Sequence, residues 1–200
     1  MIKIHIFVIL SCTFFLNAQD DNPLRIIEAD YLESKTIKGE IIQQLHGNVI
    51  LQQGNIILYT DNANYYKDKK EFHLNGKVKM IEQSDTLTCN RMIHYGNDSP
   101  YLEAVGNVYF YQAEQEFKCD SLLYWTEKDS SSAFGNVNMT QLTRQLQSDK
   151  FSFWKTNGYR KSSFNAKGNC IIQDDLRTIK ASNIIYDDDD QLMTMIQNCI

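Results

Sequence analysis

Apolar and polar residues alternate with a period of two along most of this chain, and the alternation returns in five units. Each unit opens on a glycine-led segment: GNVIL (47–51), GKVKM (76–80), GNVYF (106–110), GNVNM (135–139) and GNCII (168–172). The segments begin 29, 30, 29 and 33 residues apart. A period of this size indicates a repeat architecture, in which one small unit stacks on the next.

A second marker follows every glycine at the same distance. A short polar residue stands 14 positions after each glycine, and we call these the landmark residues: Asp61, Asn90, Asp120, Asp149 and Ser182. A half-unit before the first glycine supplies Asp30. The apolar positions change parity at the landmark, which predicts a β-bulge or a corner there. The glycine keeps the parity of its apolar neighbours, which predicts a bend or a close approach of backbone.

Polar segments between the units predict turns. They are KDKKE (67–71), GNDSP (96–100), EKDSSS (127–132), KTNGYRKSS (155–163) and DDDDQ (187–191). Each unit of about 30 residues is therefore two strands and two turns. No helical period of useful length follows the N-terminal segment. The pattern predicts an all-β stack in which two sheets face each other and every repeat gives one strand or more to each sheet.

The N-terminal segment is typical of a secretory signal peptide. Lys3 precedes an apolar run over residues 4–16, and the small residue Ala18 follows it. The run is too short to span a bilayer comfortably, so we predict a signal peptide at residues 1–18 and one domain at 19–200. Two alternatives stay open: a lipid anchor at Cys12 in the segment ILSC, and an uncleaved membrane anchor. In each case the rest of the chain leaves the cytoplasm.

Composition narrows the function without defining it. The net charge is −5 and the isoelectric point is about 5.4, with no basic stripe, so a nucleic-acid partner is not expected. Export permits disulfides. Cys89 and Cys119 occupy the same repeat position in neighbouring units and could face each other across the stack. Thr60 holds that position in the first unit, so a small buried residue is the alternative.

No residue pattern indicates catalysis, a metal site or a cofactor. The histidines His46, His73 and His94 sit at unrelated repeat positions, and no ligand stands at metal-binding spacing beside them. The segment YDDDD (186–190) lacks the spaced alternation of a calcium loop and is typical of a solvated turn. Neither a nucleophile elbow nor a phosphate loop occurs. We therefore expect a protein that is not an enzyme.

The repeated motif resembles the OstA-like family, which includes the periplasmic lipopolysaccharide-transport protein LptA and the N-terminal domain of the outer-membrane translocon LptD. The segment AVGNVYFYQAEQEFKCDSLLYW (104–125) shows the motif in full, and the resemblance covers residues 24–200. It implies an open twisted β-jellyroll, built here from about five 30-residue two-strand repeats. It also implies a periplasmic, non-enzymatic carrier that holds lipopolysaccharide acyl chains in an apolar groove.

The inward positions of the repeat are then the candidates for lining that groove. They are Val49, Leu51, Ala63, Tyr65, Val78, Met80, Met92, Val108, Phe110, Leu122, Tyr124, Val137, Met139, Phe151 and Phe153. The implied partners are lipid A acyl chains and other jellyrolls of the OstA, LptC or LptD type, joined by edge-strand addition, together with self-association. Two alternatives stay open: a structural or adhesive β-repeat protein with a closed core, and the N-terminal fragment of a larger outer-membrane translocon.

The C-terminus resembles the opening of a further unit. In TMIQNCI (194–200) we place Asn198 where the other units have glycine. The segment LMTMIQNCI (192–200) is apolar and uncharged, unlike the guarded edges of most natural sheets. It is either an edge that pairs with a partner strand or the cut end of a longer protein, so the domain is incomplete at this end in the second interpretation.

Overall fold

The computed structural model describes residues 24–37, 39–95, 101–125, 128–156, 161–188, 190 and 192–196. These residues form thirteen strands. The strands are β1 Arg25–Glu28, β2 Tyr31–Ile37, β3 Glu40–Gln53, β4 Ile56–Tyr66, β5 Glu71–Glu82, β6 Asp85–Tyr95, β7 Tyr101–Gln112, β8 Gln115–Trp125, β9 Ser130–Gln141, β10 Arg144–Thr156, β11 Lys161–Gln173, β12 Thr178–Asp187 and β13 Leu192–Ile196. No helix occurs among these residues, and the predicted signal peptide at 1–18 lies outside them.

All thirteen strands belong to one antiparallel sheet that does not close. From β3 to β13 every strand pairs with its neighbours in sequence, while β1 and β2 both pair with β3 at the other edge. Local pairing of this kind follows from the short turns, because an antiparallel strand needs only a tight hairpin to return. The predicted all-β, open jellyroll of two-strand repeats is confirmed.

Each glycine strand bends at its glycine, as the sequence predicts. Gly47 has φ +70° and Asn48 has φ +47°, and the same pair of left-handed conformations recurs at Gly76–Lys77, Gly106–Asn107, Gly135–Asn136 and Gly168–Asn169. His46 pairs with Asn62 but Val49 pairs with Thr60, so β3 holds one residue more than β4 across the bend. A bulge is therefore present, but its extra residue lies on the glycine strand, opposite the landmark residue at which the sequence pattern places the bulge.

The bend divides every long strand into two halves, and the halves form two walls. Wall 1 consists of the half-strands that meet at the turns 54–55, 83–84, 113–114, 142–143 and 174–177. Wall 2 consists of the half-strands on the other side of the bend. Our expectation of two separate sheets is wrong, because one sheet passes through the bend and supplies both walls. A bulge bends a strand without ending its hydrogen-bonded ladder, and alternation alone does not show this.

The core lies between the two walls. Met80, Phe110 and Met139 have no exposed surface, although each belongs to a sheet only one layer thick. With no helix among the described residues, only the opposite wall can cover them. The rings of Phe117 in wall 1 and Phe151 in wall 2 lie 6.0 Å apart between centroids, which is a contact across the interior.

Five acidic or amide residues of the landmark series pack against the glycine of the following strand, namely Asp30, Asp61, Asn90, Asp120 and Asp149. A Cβ atom placed on Gly135 would lie 2.8 Å from Cγ and 3.0 Å from Cβ of Asp120, so only glycine leaves room for the carboxylate. The amide of Asn136 donates a hydrogen bond of 2.9 Å to Asp120, and Asn169 donates one of the same length to Asp149. The recurring Gly-Asn and Asp therefore form a single line along the bend.

The register of β13 moves the sixth unit by one residue. Ile196 on β13 pairs with Asn183 on β12. The equivalent pair one unit earlier is Lys167 on β11 with Lys150 on β10. Gly168 directly follows Lys167, so the sequence position equivalent to glycine in the sixth unit is 197, one residue before the predicted Asn198. Both positions lie outside the described residues. By this alignment the sequence IQNC (196–199) matches KGNC (167–170).

Candidate functional site

Fourteen of the fifteen predicted lining residues lie in the interior. None of the fourteen is more than 3% exposed, and they come from both walls of β3 to β10. The exception is Tyr65, which is partly exposed at the outer end of wall 2 and stacks on Phe72 at 4.3 Å. The predicted residues therefore share one apolar interior, which is filled by their own side chains.

The side chains that fill the interior differ in type between the first strands of the sheet and the last. From β3 to β6 its buried apolar side chains are aliphatic or sulfur-containing, and the first fully buried aromatic residue is Phe110 on β7. From there to β12 the rings of Phe117, Phe151, Phe153, Phe164 and Tyr186 are buried as well. Contacts between centroids of 6.0, 5.5 and 5.7 Å join Phe117, Phe151, Phe164 and Tyr186 in series.

Small residues make room for the ring of Phe151. It pairs with Ala133 on β9 and Ala166 on β11, so both cross-strand neighbours are alanine. The corresponding position in the first unit is reversed, since Ala63 pairs with Leu45 and Leu74. The large side chains are thus distributed in two ways, with one ring reaching inward in the later unit and two leucines in the earlier one.

Polar groups next to the bend bind the backbone there. The hydroxyl of Thr60 lies 3.1–3.2 Å from the carbonyls of Asn62, Asn75 and Gly76. The thiol of Cys89, at the same repeat position, donates to the carbonyl of Arg91 at 3.2 Å. A buried carbonyl without a donor is costly, so a small side chain with one donor suits this position.

The three described cysteines are free and buried. Cys89 lies on β6 and Cys119 on β8, with β7 between them. Two strand spacings amount to about 9.6 Å, beyond the range of about 4.4–6.8 Å that a disulfide requires between Cα atoms. Burial raises the pKa of each of these two thiols to about 12. The structure therefore supports the alternative in which Cys89 and Cys119 are small buried residues that form no disulfide with each other.

Buried polar atoms occur at two places at the outer end of wall 2, in His94 and in the pair of Asp129 and Lys155. Burial lowers the pKa of His94 to about 4, and its Nε2 has no hydrogen-bond partner among the described residues. Asp129 forms an ion pair with Lys155 and accepts a hydrogen bond of 3.1 Å from the hydroxyl of Tyr124. Asp129 and Lys155 are 2% and 9% exposed, so each charge depends on the other.

The two ends of the sheet are open edges. At one end, the exposed apolar side chains on β1 and β2 are Ile26, Ile27, Tyr31, Leu32 and Ile37. At the other end, β13 covers only Asn183–Asp187 of β12. A cavity of about 680 Å³ lies where the earlier half of β12 has no outer neighbour in the described chain, and Cys170, Lys180 and Ser182 are among its lining residues.

Neither a metal centre nor a membrane helix stands out in the part of the chain that the structure describes. No group of three or more His, Cys, Asp or Glu side chains there could hold a metal ion. No helix there is long and apolar enough to cross a membrane. The interior is thus the main feature of these residues that could bind a ligand.

Sequence reasoning missed one inward position of the repeat. Leu102 and Phe164, four residues before their glycines, are 2% and 1% exposed and belong to the interior. Extending the period-two alternation by one more step before each glycine would have found them. The ion pair of Asp129 and Lys155 had no comparable signal, because its members stand in different parts of the repeat.

Comparison with known proteins finds a family match for the first part of the chain. Residues 22–99 match the family model described as OstA-like protein. This part of the chain is therefore similar to the OstA-like family. The resemblance predicted from the repeated motif is confirmed for these residues. No curated protein sequence matches the chain.

One solved structure similar to this chain is the crystal structure of LptH from Pseudomonas aeruginosa. It is described as the LptA homologous periplasmic component of the conserved lipopolysaccharide transport device. The two chains are 14% identical, the alignment covers 88% of this chain and 83% of LptH, and the TM-score is 0.30.

Proposed function

We propose that this OstA-like chain is a non-enzymatic, periplasmic carrier of lipopolysaccharide toward the outer membrane, and that it holds acyl chains between its two walls. The observation that carries the proposal is the shape of the core. One contiguous apolar cluster receives side chains from every strand between β3 and β12. An interior that extends through ten successive strands offers an acyl chain a continuous apolar path.

The energetics favour such a path once the walls separate. Burial of acyl chain is favourable by about 0.8 kcal/mol for each CH₂ group. Side chains of both walls fill the interior, so a bound chain has to replace contacts between the walls. The two walls are joined along the bend, and the described contacts across the interior are apolar, such as Phe117 on Phe151. Apolar contacts can be exchanged for lipid without leaving a polar group unpaired.

The open edges support assembly with further jellyrolls. Unpaired backbone at a sheet edge accepts an added strand, and exposed apolar side chains strengthen the contact. Leu192 and Ile196 on β13 are 56% and 48% exposed, and Ile27 on β1 is 55% exposed. We infer that the partners are other OstA-, LptC- or LptD-type jellyrolls or a second copy of this chain, joined edge to edge.

Photo-crosslinking in cells tests the carrier proposal. Val78 is 1% exposed and faces the interior, whereas its neighbour Lys79 on the same strand is exposed. A photoreactive amino acid at position 78 is expected to capture lipopolysaccharide, and the same amino acid at position 79 is expected to capture none. A folded protein that gives no lipopolysaccharide adduct at position 78 or at the equivalent Val108 would count against the proposal.

Complete burial of the lining favours a second candidate, a structural β-repeat protein whose core stays closed. The same experiment separates the two, because a closed core gives no lipid adduct at any inward position. The other alternative, the N-terminal part of a larger translocon, is tested by reading the gene beyond the codon for Ile200. An in-frame continuation that encodes further strands would support it.

A further inference from the structure

The aromatic residues of the interior form a connected series that begins in one wall and continues through the other. Phe117 extends from wall 1, Phe151 meets it from wall 2, and Phe164 and Tyr186 continue the series through β11 and β12. All four are at most 2% exposed. A closely packed interior has no room for a second chain beside such rings, so any chain has to displace them.

Strands β3–β6 carry no fully buried ring, because the stacked rings of Tyr65 and Phe72 are partly exposed at the outer end of wall 2. Between β3 and β6 the buried lining consists of side chains such as Leu45, Val78, Met80 and Met92. Methionine is unbranched and adapts its shape to irregular space, and leucine and valine present smaller obstacles than a phenyl ring. This half of the interior can therefore rearrange around an acyl chain more readily than the aromatic half.

We propose that Phe117 and Phe151 form a barrier that confines a bound acyl chain to the interior of β3–β6, and that a chain held there reaches β11 and β12 only when these rings move. This inference rests on the proposed lipid-carrying function and adds a location and a control point to it. The alanines beside Phe151 are part of the device, since Ala133 and Ala166 leave the space through which its ring reaches the opposite wall.

The chain itself offers a matched pair of reporter positions. Val78 and Cys170 both stand two residues after their glycines, both are 1% exposed, and they lie on opposite sides of the barrier. A photoreactive amino acid is placed at one or the other position in the mature full-length chain, which is then incubated with purified lipopolysaccharide and irradiated. Adducts at position 78 are expected to exceed those at position 170.

Two variants change the barrier. Phe151→Ala removes the ring, and the triple variant Ala133→Leu, Phe151→Ala, Ala166→Leu copies the arrangement of Leu45, Ala63 and Leu74 and so keeps the core filled if the single variant fails to fold. Either variant is expected to raise the adduct at position 170 relative to position 78 by about tenfold, which corresponds to about 1.4 kcal/mol. The reverse swap, Leu45→Ala with Ala63→Phe and Leu74→Ala, is expected to reduce the adduct at position 78.

The outcomes separate this inference from the function on which it rests. Equal adducts at positions 78 and 170 in the unmodified chain would overturn the barrier and leave the carrier proposal standing. An unchanged ratio in a folded triple variant would overturn it as well. Absence of lipid adduct at both positions in every folded variant would overturn the carrier proposal, and the barrier with it.

Discussion

Substitution of Gly135 by alanine tests the packing of the bend, because it introduces the one atom that the structure excludes. The new Cβ would lie 2.8 Å from Cγ of Asp120, and φ at this residue is +73°. The left-handed conformation costs an alanine about 1–2 kcal/mol. Displacement of the carboxylate also breaks its hydrogen bond from Asn136, and a bond to a charged group contributes about 1.5–3 kcal/mol, less where it is exposed as here. We expect a loss of about 3 kcal/mol in the free energy of unfolding.

Gly39 supplies the matched control. It has φ +86°, but a Cβ atom there would meet nothing within 4 Å, so Gly39→Ala should cost only the conformational part, about 1 kcal/mol. Both variants are compared with the unmodified chain by urea unfolding, followed through tryptophan fluorescence. Asp120→Ala combined with Gly135→Ala removes the clash, so the double variant should lose less than the sum of the two single losses. Equal losses at Gly39 and Gly135, or strict additivity with Asp120→Ala, would refute this account of the bend.

Three further predictions follow from buried groups. Burial lowers the pKa of His94 from about 6.5 to about 4, so below pH 6.5 the unfolded chain takes up a proton that the folded chain does not. The contribution of His94 to the free energy of unfolding is therefore fully present above pH 6.5. It is lost as the pH falls toward 4, by about 3 kcal/mol. His94→Phe should remove this part of the pH dependence in urea unfolding, and an unchanged profile would contradict the assignment. Asp129→Asn should lower the free energy of unfolding by about 3 kcal/mol because it removes the carboxylate charge that the buried Lys155 ammonium faces. The double variant with Lys155→Met should recover part of that loss, and no recovery would argue against the pair. Burial raises the pKa of Cys89 and Cys119 to about 12. In a Cys199→Ser chain both thiols should resist iodoacetamide at pH 8 until denaturant is added, and rapid labelling of the folded chain, measured by mass spectrometry, would be inconsistent with the structure.

The repeat could be predicted from the sequence because its signals are local. Period-two alternation identifies Val49, Leu51 and Ala63 as neighbours on one face of a strand, and all three are buried. The bend and the bulge at each glycine are local as well, since the positive φ values and the change of parity belong to a few consecutive residues. The contact of Asp129 with Lys155 escaped prediction because it joins a turn to a strand two elements later, and neither residue belongs to the repeated motif.

The sequence by itself determined the unit, its period, its inward face and its turns, because these depend on the chemistry of residues that are neighbours along the chain. Only the tertiary structure decided that both walls belong to one sheet, that Asp120 packs against the glycine of the next strand, and that Phe117 meets Phe151 across the interior. Each of these depends on the direction in which the bend folds the sheet. That direction brings together residues from different repeats, whose separation along the chain carries no information about their distance in space.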